Sequence, residues 1–103
     1  MFHDLFRYIK NGHNQRVYAL INQFPFLLEV KHEDKMTPLM DAAYKGNVEL
    51  IEFFIKEGVD VNDIGFEGYT ALMMACLGGH EEATLTLLEH GADKDIKNKI
   101  GKT

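Results

Sequence analysis

The sequence predicts an all-α fold, a solenoid of stacked helix-turn-helix units, and three observations support this prediction. Two stretches nearly repeat each other, TPLMDAAYKG at 37–46 and TALMMACLGG at 70–79. Glycines recur in phase, because the interval from Gly46 to Gly79 equals the interval from Gly58 to Gly91. Each repeat also carries apolar residues at helical spacing. A fixed period of this size is typical of stacked units rather than of one irregular core.

The first full unit is predicted to form two short helices joined by a turn. Thr37 can cap a helix that begins at Pro38, a position where the missing N–H costs nothing. Gly46 then ends this helix in a tight turn, and Asn47 can cap the second helix. Gly58 follows the last turn of the second helix, which is a usual carboxyl-terminal signal. The apolar faces of the two helices consist of Leu39, Ala42 and Ala43, then Leu50, Ile51, Phe54 and Ile55.

The second full unit follows the same order. Thr70 can cap its first helix, and Gly79 ends it. His80 precedes Glu81 and Glu82, whose negative charges suit the amino-terminal end of a helix dipole. Small residues on the first helices of both units allow close approach, so that each unit can bury its apolar face against the next. These small residues are Ala42, Ala43, Ala75 and Cys76.

TPLMDAAYKG followed by EGVDVN, and TALMMACLGGH followed by HGADKD, resemble ankyrin repeats. The resemblance implies one domain over 1–103, with full repeats at 32–64 and 65–97, a degenerate amino-terminal capping repeat at 1–31, and the start of a truncated repeat at 98–103. MTPLMDAAYKG and EGYTALM also resemble the early repeats of adaptor proteins that join ankyrin repeats to a MYND zinc finger. One cysteine cannot build that finger.

The sequence departs from the family pattern at four positions, which affects expected stability more than fold. Met40 and Met73 stand where the family usually has histidine, and Lys35 replaces a glycine. Thr84 replaces an aliphatic residue, which should thin the core of its unit.

The capping repeat is predicted from a weaker pattern. Gly12 provides a turn, and Pro25 stands where the later units have glycine. Its helices have apolar faces formed by Leu5, Phe6 and Ile9, then Val17, Leu20 and Ile21. Its outer side is expected to face water through Arg7, Lys10 and Asn14.

Composition limits the classes of function. The chain has 46% apolar residues and a net charge of −5, which favours a folded domain without general attraction to nucleic acid or anionic lipid. No apolar run is long enough to span a membrane, and no secretory signal begins the chain. With one cysteine, we expect an intracellular location, in the cytoplasm or alternatively the nucleus. The lysines at 94, 97, 99 and 102 suggest nucleic-acid contact or a solvated loop, and the acidic charge of the chain favours the loop.

No pattern of residues indicates catalysis, a cofactor or a metal, and we therefore expect no enzyme. IGKT lacks the first glycine of a phosphate-binding loop, because Ile96 occupies that position. The five histidines show no ligand spacing. Cys76 occupies an alanine position and should be a buried apolar residue rather than a nucleophile. Asp41 has no partner carboxylate on its helix and is expected to face solvent or a binding partner.

The period separates residues that the scaffold needs from residues that remain free to bind a partner. The resemblance implies that turns between units project as fingers and that the first helices line a concave face. The predicted partner-binding residues are Glu33, Asp34, Met36, Tyr44, Lys45, Phe66, Glu67, Tyr69 and Leu77, and the next row begins with Lys99, Ile100 and Lys102. Large apolar side chains here favour an interface. Alternatively, Phe66, Tyr69 and Met36 fold back onto their own turns.

The sequence thus predicts a module that binds another protein. The alternatives are a targeting or regulatory segment of a larger enzyme whose catalytic domain lies beyond residue 103, or a structural spacer. A monomer is expected, with end-to-end pairing at the truncated carboxyl-terminal end as an alternative.

Overall fold

The structure, a computed structural model, describes residues 2–31 and 35–97, and all regular elements within these ranges are helices. The α-helices are α1 (Phe2–Lys10), α2 (Asn14–Gln23), α3 (Pro38–Lys45), α4 (Val48–Lys56), α5 (Ala71–Leu77) and α6 (Glu81–Glu89). Short 3₁₀ helices span Pro25–Glu29 and Phe66–Gly68. The all-α prediction is confirmed. Residues 98–103, the predicted start of another repeat, lie outside the described residues, and the proposed repeat boundaries remain predictions.

The predicted caps form where the sequence places them. The Thr37 side chain accepts a hydrogen bond from the backbone N–H of Met40 at 3.2 Å, and Asn47 accepts one from Leu50 at 3.2 Å. Thr70 accepts one from the N–H of Met73 at 3.4 Å. Each cap satisfies a backbone donor that the first turn of a helix leaves without an intrahelical partner.

The helices stack in two layers. In one layer, α3 packs between α1 and α5, and in the other α4 packs against α6. The alanines of this stack (Ala42, Ala43 and Ala75) are fully buried, which lets α3 and α5 lie close together. The core is completed by larger apolar residues: Leu5, Ile9, Val17, Ile21, Leu39, Leu50, Ile51, Phe54 and Leu87. The stack measures 37 × 26 × 22 Å.

Hydrogen bonds between side chains join α2 to α4 across one period. The Asn47 amide donates to the Asn14 carbonyl oxygen at 2.7 Å, while Asn14 donates to the Glu49 carboxylate at 3.1 Å. The prediction that Asn14 faces water is therefore wrong, because its side chain is half-buried in this contact between units. Arg7 and Lys10 are exposed as expected.

Asn62 makes a second connection, near the base of the finger between α4 and α5. Its side-chain amide donates to the carbonyl oxygen of Gly91 at 3.2 Å, and its oxygen accepts from the N–H of Asp93 at 2.7 Å. Asp60 and Asp93 accept from the N–H groups of Asn62 and Asp95, at 2.9 and 2.8 Å. The same turn is thus formed twice, at equivalent positions of successive units.

Cys76 is exposed, so the prediction that it is buried is wrong. Its α-helical position matches that of Ala43, but none of the described residues covers it in the way that α5 covers Ala43. Thr84 is half-buried, and its hydroxyl donates to the carbonyl oxygen of His80 at 2.8 Å. The hydroxyl is therefore satisfied within its own helix.

Candidate protein-interaction surface

Two large apolar side chains are exposed at equivalent positions of neighbouring helices. Tyr44, near the end of α3, is 46% exposed, and Leu77, at the end of α5, is 59% exposed. They lie one period apart in helices that pack together. Lys45 is exposed beside Tyr44. The structure therefore places three of the predicted partner-binding residues, Tyr44, Lys45 and Leu77, on the surface at the ends of α3 and α5.

Two glycines, Gly46 and Gly78, allow the ends of α3 and α5 to lie close together. A Cβ atom added to Gly78 would lie 2.5 Å from the Tyr44 carbonyl oxygen, a distance that a real side chain cannot occupy. One added to Gly46 would lie 2.4 Å from Nδ1 of His80. Gly46 also has a φ of 70°, in the left-handed region that favours glycine. The lack of a side chain at Gly46 and Gly78 therefore allows the helix ends that carry Tyr44 and Leu77 to lie close together.

The finger between α4 and α5 has an unusual backbone at an exposed acidic residue. Glu67 has a φ of 48° and is exposed. Lys35, in the preceding finger, has a φ of 65°. The latter value explains why the family usually has glycine at this position, since only glycine adopts such angles without steric cost. A Cβ on Gly65 would lie 2.5 Å from the Lys35 carbonyl oxygen, so the two fingers are in close contact.

Two finger residues turn inward, in line with the alternative stated above. Met36 is only 6% exposed and belongs to the apolar core, so the expectation that its side chain is exposed for a partner is wrong. Tyr69 is half-buried and packs against the same core. Folding back removes the Met36 side chain from water and leaves part of the Tyr69 side chain accessible. Glu33 and Asp34 lie outside the described residues, as does the side chain of Phe66.

A polar cluster on α2 and α4 is missing from the sequence prediction. The Tyr18 hydroxyl donates to the Glu49 carboxylate, which also accepts from Asn14. The Tyr18 ring lies 4.6 Å from that of Phe53, between centroids. Burial, followed by the hydrogen bond to Glu49, raises the pKa of Tyr18 to about 12, and the bond from Tyr18 lowers the pKa of Glu49. The signal that could have revealed this contact is the spacing of Asn14 and Asn47.

The described residues offer no site for a metal ion built from three or more His, Cys, Asp or Glu side chains. Asp41 is half-buried on α3 and has an interaction partner. Within residues 2–31 and 35–97, no helix combines the length and apolar character that crossing a membrane requires.

The stacked helical pairs, with exposed residues at equivalent positions near the ends of α3 and α5, define a helical repeat protein. The chain belongs to the ankyrin repeat family, since the family model for ankyrin repeats (3 copies) matches residues 5–98. The resemblance of the two repeated stretches to this family is confirmed. Ankyrin repeats are protein-interaction modules.

Relatives with this repeat are larger proteins of several kinds. The chain is 34% identical to ankyrin repeat and SAM domain-containing protein 6 of Rattus norvegicus over 97% of this chain and 11% of the relative. It is 29% identical to protein phosphatase 1 regulatory subunit 27 of Mus musculus, covering 91% of this chain and 61% of the relative. It is 31% identical to protein phosphatase 1 regulatory subunit 12A of Mus musculus, covering 100% of this chain and 9% of the relative. The chain therefore spans less than two thirds of each.

Proposed function

We propose that the chain acts as a non-catalytic adaptor that binds a partner protein through the ends of α3 and α5. The observation that supports this most directly is the exposure of Tyr44 and Leu77 at equivalent positions of two packed helices. The repeat requires neither side chain for its core. Tyrosine is frequent among interface residues that dominate binding energy, because it offers a large rigid contact area.

The proposed partner contributes an apolar segment to Tyr44 and Leu77 and a basic group near Glu67. Glu67 is exposed on the finger, and its left-handed backbone fixes the direction of the turn. A basic partner residue would suit its charge. Lys45, Phe66 and Tyr69 are proposed to complete this surface, and so are Glu33 and Asp34.

The test begins with a pull-down that identifies a bound protein by mass spectrometry, followed by calorimetry of the purified pair. Truncation of a dominant interface residue costs about 2 kcal/mol, or roughly a thirtyfold loss of affinity. We expect a loss of this order for Tyr44→Ala and a smaller one for Leu77→Ala. Phe26→Ala is the matched control, because Phe26 is also a large exposed apolar residue but lies in the 3₁₀ helix after α2.

Unchanged affinity of Tyr44→Ala and Leu77→Ala, with the helical signal intact, would show that the surface is wrongly assigned. Equal losses for Phe26→Ala would also contradict it, because they would indicate a general effect. A pull-down that captures no specific protein favours the structural-spacer alternative.

A second candidate function is that of a regulatory or targeting segment of a larger enzyme or enzyme complex. It is favoured by two relatives whose names describe regulatory subunits of protein phosphatase 1. The two proposals differ in what the captured partner does. If the partner is an enzyme, its catalytic rate is measured with and without the chain. A changed rate favours the regulatory segment, since an adaptor that only binds leaves the rate unchanged. A gene that encodes a catalytic domain after residue 103 would also favour the second candidate.

A further inference from the structure

The segments that follow the second helices of successive units are tied together at one junction and not at the one before it. At the later junction, the Asn62 side chain binds the carbonyl oxygen of Gly91 at 3.2 Å and the N–H of Asp93 at 2.7 Å. One period earlier, Glu29 stands in place of this asparagine. Its exposed carboxylate makes no hydrogen bond or ion pair with a described residue.

The backbone groups that an asparagine at position 29 would bind are unused at the earlier junction. They are the carbonyl oxygen of Gly58 and the N–H of Asp60, the equivalents of the two groups that Asn62 binds. No described residue donates to the first or accepts from the second. An ionised carboxylate only accepts hydrogen bonds, so Glu29 cannot donate to Gly58. Gly58 and Asp60 are exposed, and a ligand can therefore reach both groups.

A cavity of about 320 Å³ lies at this earlier junction. Ligand pockets in proteins typically have volumes of about 300–1,000 Å³, so this one is large enough to hold a side chain of a partner. Its walls come from the 3₁₀ helix after α2, from the start of α3 and from the segment after α4. We call it the junction cavity, and its lining residues are Leu28, Glu29, Thr37, Val59, Asp60 and Asp63.

The junction cavity carries an excess of negative charge. Three of its lining residues are acidic, and none is basic. Asp63 lies 3.9 Å from the amine of Lys31, whereas Glu29 and Asp60 form no ion pair with a described residue. The two larger apolar side chains of the lining are half-buried and pack against the core. The cavity thus offers two unpaired carboxylates, an unused carbonyl oxygen and apolar walls.

These groups together suit the side chain of an arginine. A guanidinium group has a fixed positive charge and five N–H donors, so it can bind a carbonyl oxygen and carboxylates at the same time. Its aliphatic stem packs well against apolar side chains. Lysine offers a compact, strongly hydrated ammonium group and fits this arrangement less well. A metal ion is not favoured either, because the described residues provide no group of three or more His, Cys, Asp or Glu that could hold one.

We propose that the junction cavity binds an arginine side chain of a partner protein, whose guanidinium donates to the Gly58 carbonyl oxygen and pairs with Glu29 and Asp60. Charge complementarity supports this occupant. The junction at Asn62 supports it as well, since a side-chain N–H there occupies the equivalent carbonyl oxygen. None of the lining residues belongs to the surface around Tyr44. The junction cavity is therefore a second site, and either proposal can fail without the other.

The test is a nuclear magnetic resonance titration of the isotope-labelled chain with acetyl-alanyl-arginyl-alanine amide. Two comparison peptides carry citrulline, the neutral analogue of arginine, or lysine in the middle position. We expect the arginine peptide to shift the backbone N–H signals of Val59 and Asp60 until they saturate. Its affinity should exceed that of the citrulline peptide at least about tenfold, because charge-assisted hydrogen bonds are the stronger ones. The lysine peptide should lie between the two.

Asp60→Asn and Asp93→Asn form a matched pair of variants. The two aspartates are equivalent, and each accepts a hydrogen bond from the N–H two residues later, at 2.9 and 2.8 Å. Asparagine keeps this acceptor and removes one negative charge in either variant. We expect Asp60→Asn to weaken binding of the arginine peptide at least about fivefold, and Asp93→Asn to leave the affinity unchanged. Glu29→Gln should weaken binding to the same degree as Asp60→Asn.

Three results would overturn the proposal. The first is equal or undetectable binding of the arginine and citrulline peptides. The second is an equal loss of affinity in Asp60→Asn and Asp93→Asn, because the attraction would then depend on the overall charge of the chain. The third is a set of shifted signals that leaves out residues 28–29 and 58–60, which would place the peptide elsewhere on the surface.

Discussion

Gly78→Ala tests how closely α3 and α5 must approach to form the proposed surface. Gly78 has a φ of −76°, which any residue can adopt, so the backbone itself does not require glycine. Alanine at a compatible position usually stabilises a protein by about 0.4–1 kcal/mol, because it restricts the unfolded chain. The new Cβ, however, would lie 2.5 Å from the Tyr44 carbonyl oxygen and 2.7 Å from Cδ2 of His80.

The carbonyl contact decides the sign of the expected effect. The ring of His80 could rotate, but the carbonyl belongs to the backbone of α3 and moves only with the helix. Overpacking of this kind costs about 1–3 kcal/mol, which exceeds the gain from the unfolded state. We therefore expect Gly78→Ala to lower the free energy of unfolding by about 1–2 kcal/mol, measured by urea denaturation followed by circular dichroism.

Substitutions at the neighbouring residues Gly79 and His80 distinguish the clash with α3 from backbone strain and from the clash with the His80 ring. Gly79 has a φ of 73° and no atom within 4 Å of an added Cβ, so Gly79→Ala should cost about 1 kcal/mol through backbone strain alone. Adding His80→Ala to Gly78→Ala should recover little, because the clash with Tyr44 remains. If Gly78→Ala is as stable as the natural chain, or more stable, the close approach of α3 and α5 described here is wrong.

Three further predictions concern single contacts. Lys35→Gly should raise the free energy of unfolding by about 0.5–1 kcal/mol in urea, since it relieves a left-handed backbone but loosens the unfolded chain, and a loss of stability would contradict this reasoning. Asn47→Ala should cost about 2 kcal/mol by the same assay, because the cap of α4 and the bond to Asn14 are both lost, whereas Asn47→Asp keeps the cap and should cost about half as much. Tyr18→Phe should flatten the dependence of stability on pH. The lowered pKa of Glu49 means that its carboxylate stabilises the fold above pH 4.5 and that this contribution is lost as the pH falls through the folded value. The raised pKa of Tyr18 means that its neutral phenol stabilises the fold below pH 10.0 and that this contribution is lost as the pH rises toward 12. Urea midpoints measured from below pH 4.5 to about pH 12 should therefore vary less in Tyr18→Phe than in the natural chain. Identical dependence on pH in the two proteins would contradict the pairing of Tyr18 with Glu49.

Local rules were sufficient to predict most of the fold. Thr37, Asn47 and Thr70 cap their helices as predicted, because a cap depends on a side chain and on the backbone three residues later. Gly46 ends α3 in the left-handed region for an equally local reason. The position of Lys35 in that region also follows from the family pattern of glycine at that position.

The site was less predictable because exposure depends on neighbours in space. The period marks Met36 and Tyr44 alike as positions that the repeat does not specify, yet one enters the core and the other is open. The sequence does not show which way a finger side chain turns. Cys76 occupies the position equivalent to Ala43, which is buried because α5 packs on α3. No described helix packs on α5 in the same way, and Cys76 is exposed. The contact of Asn14 cannot be read from its own helix, because its partner Asn47 lies one full period away.

The side chain of Asn62 joins its unit to the following one through two backbone groups, the carbonyl of Gly91 and the N–H of Asp93. Every amino acid supplies the first group, and every one except proline supplies the second. The following unit could therefore be exchanged for another without rematching side chains at this point. By contrast, the link between Asn14 and Asn47 requires two particular amides, so recombination at that boundary must carry both. Within residues 2–31 and 35–97, the junction at Asn62 is thus tolerant and the junction at Asn14 and Asn47 is selective, which bears directly on where hybrid arrays could be cut.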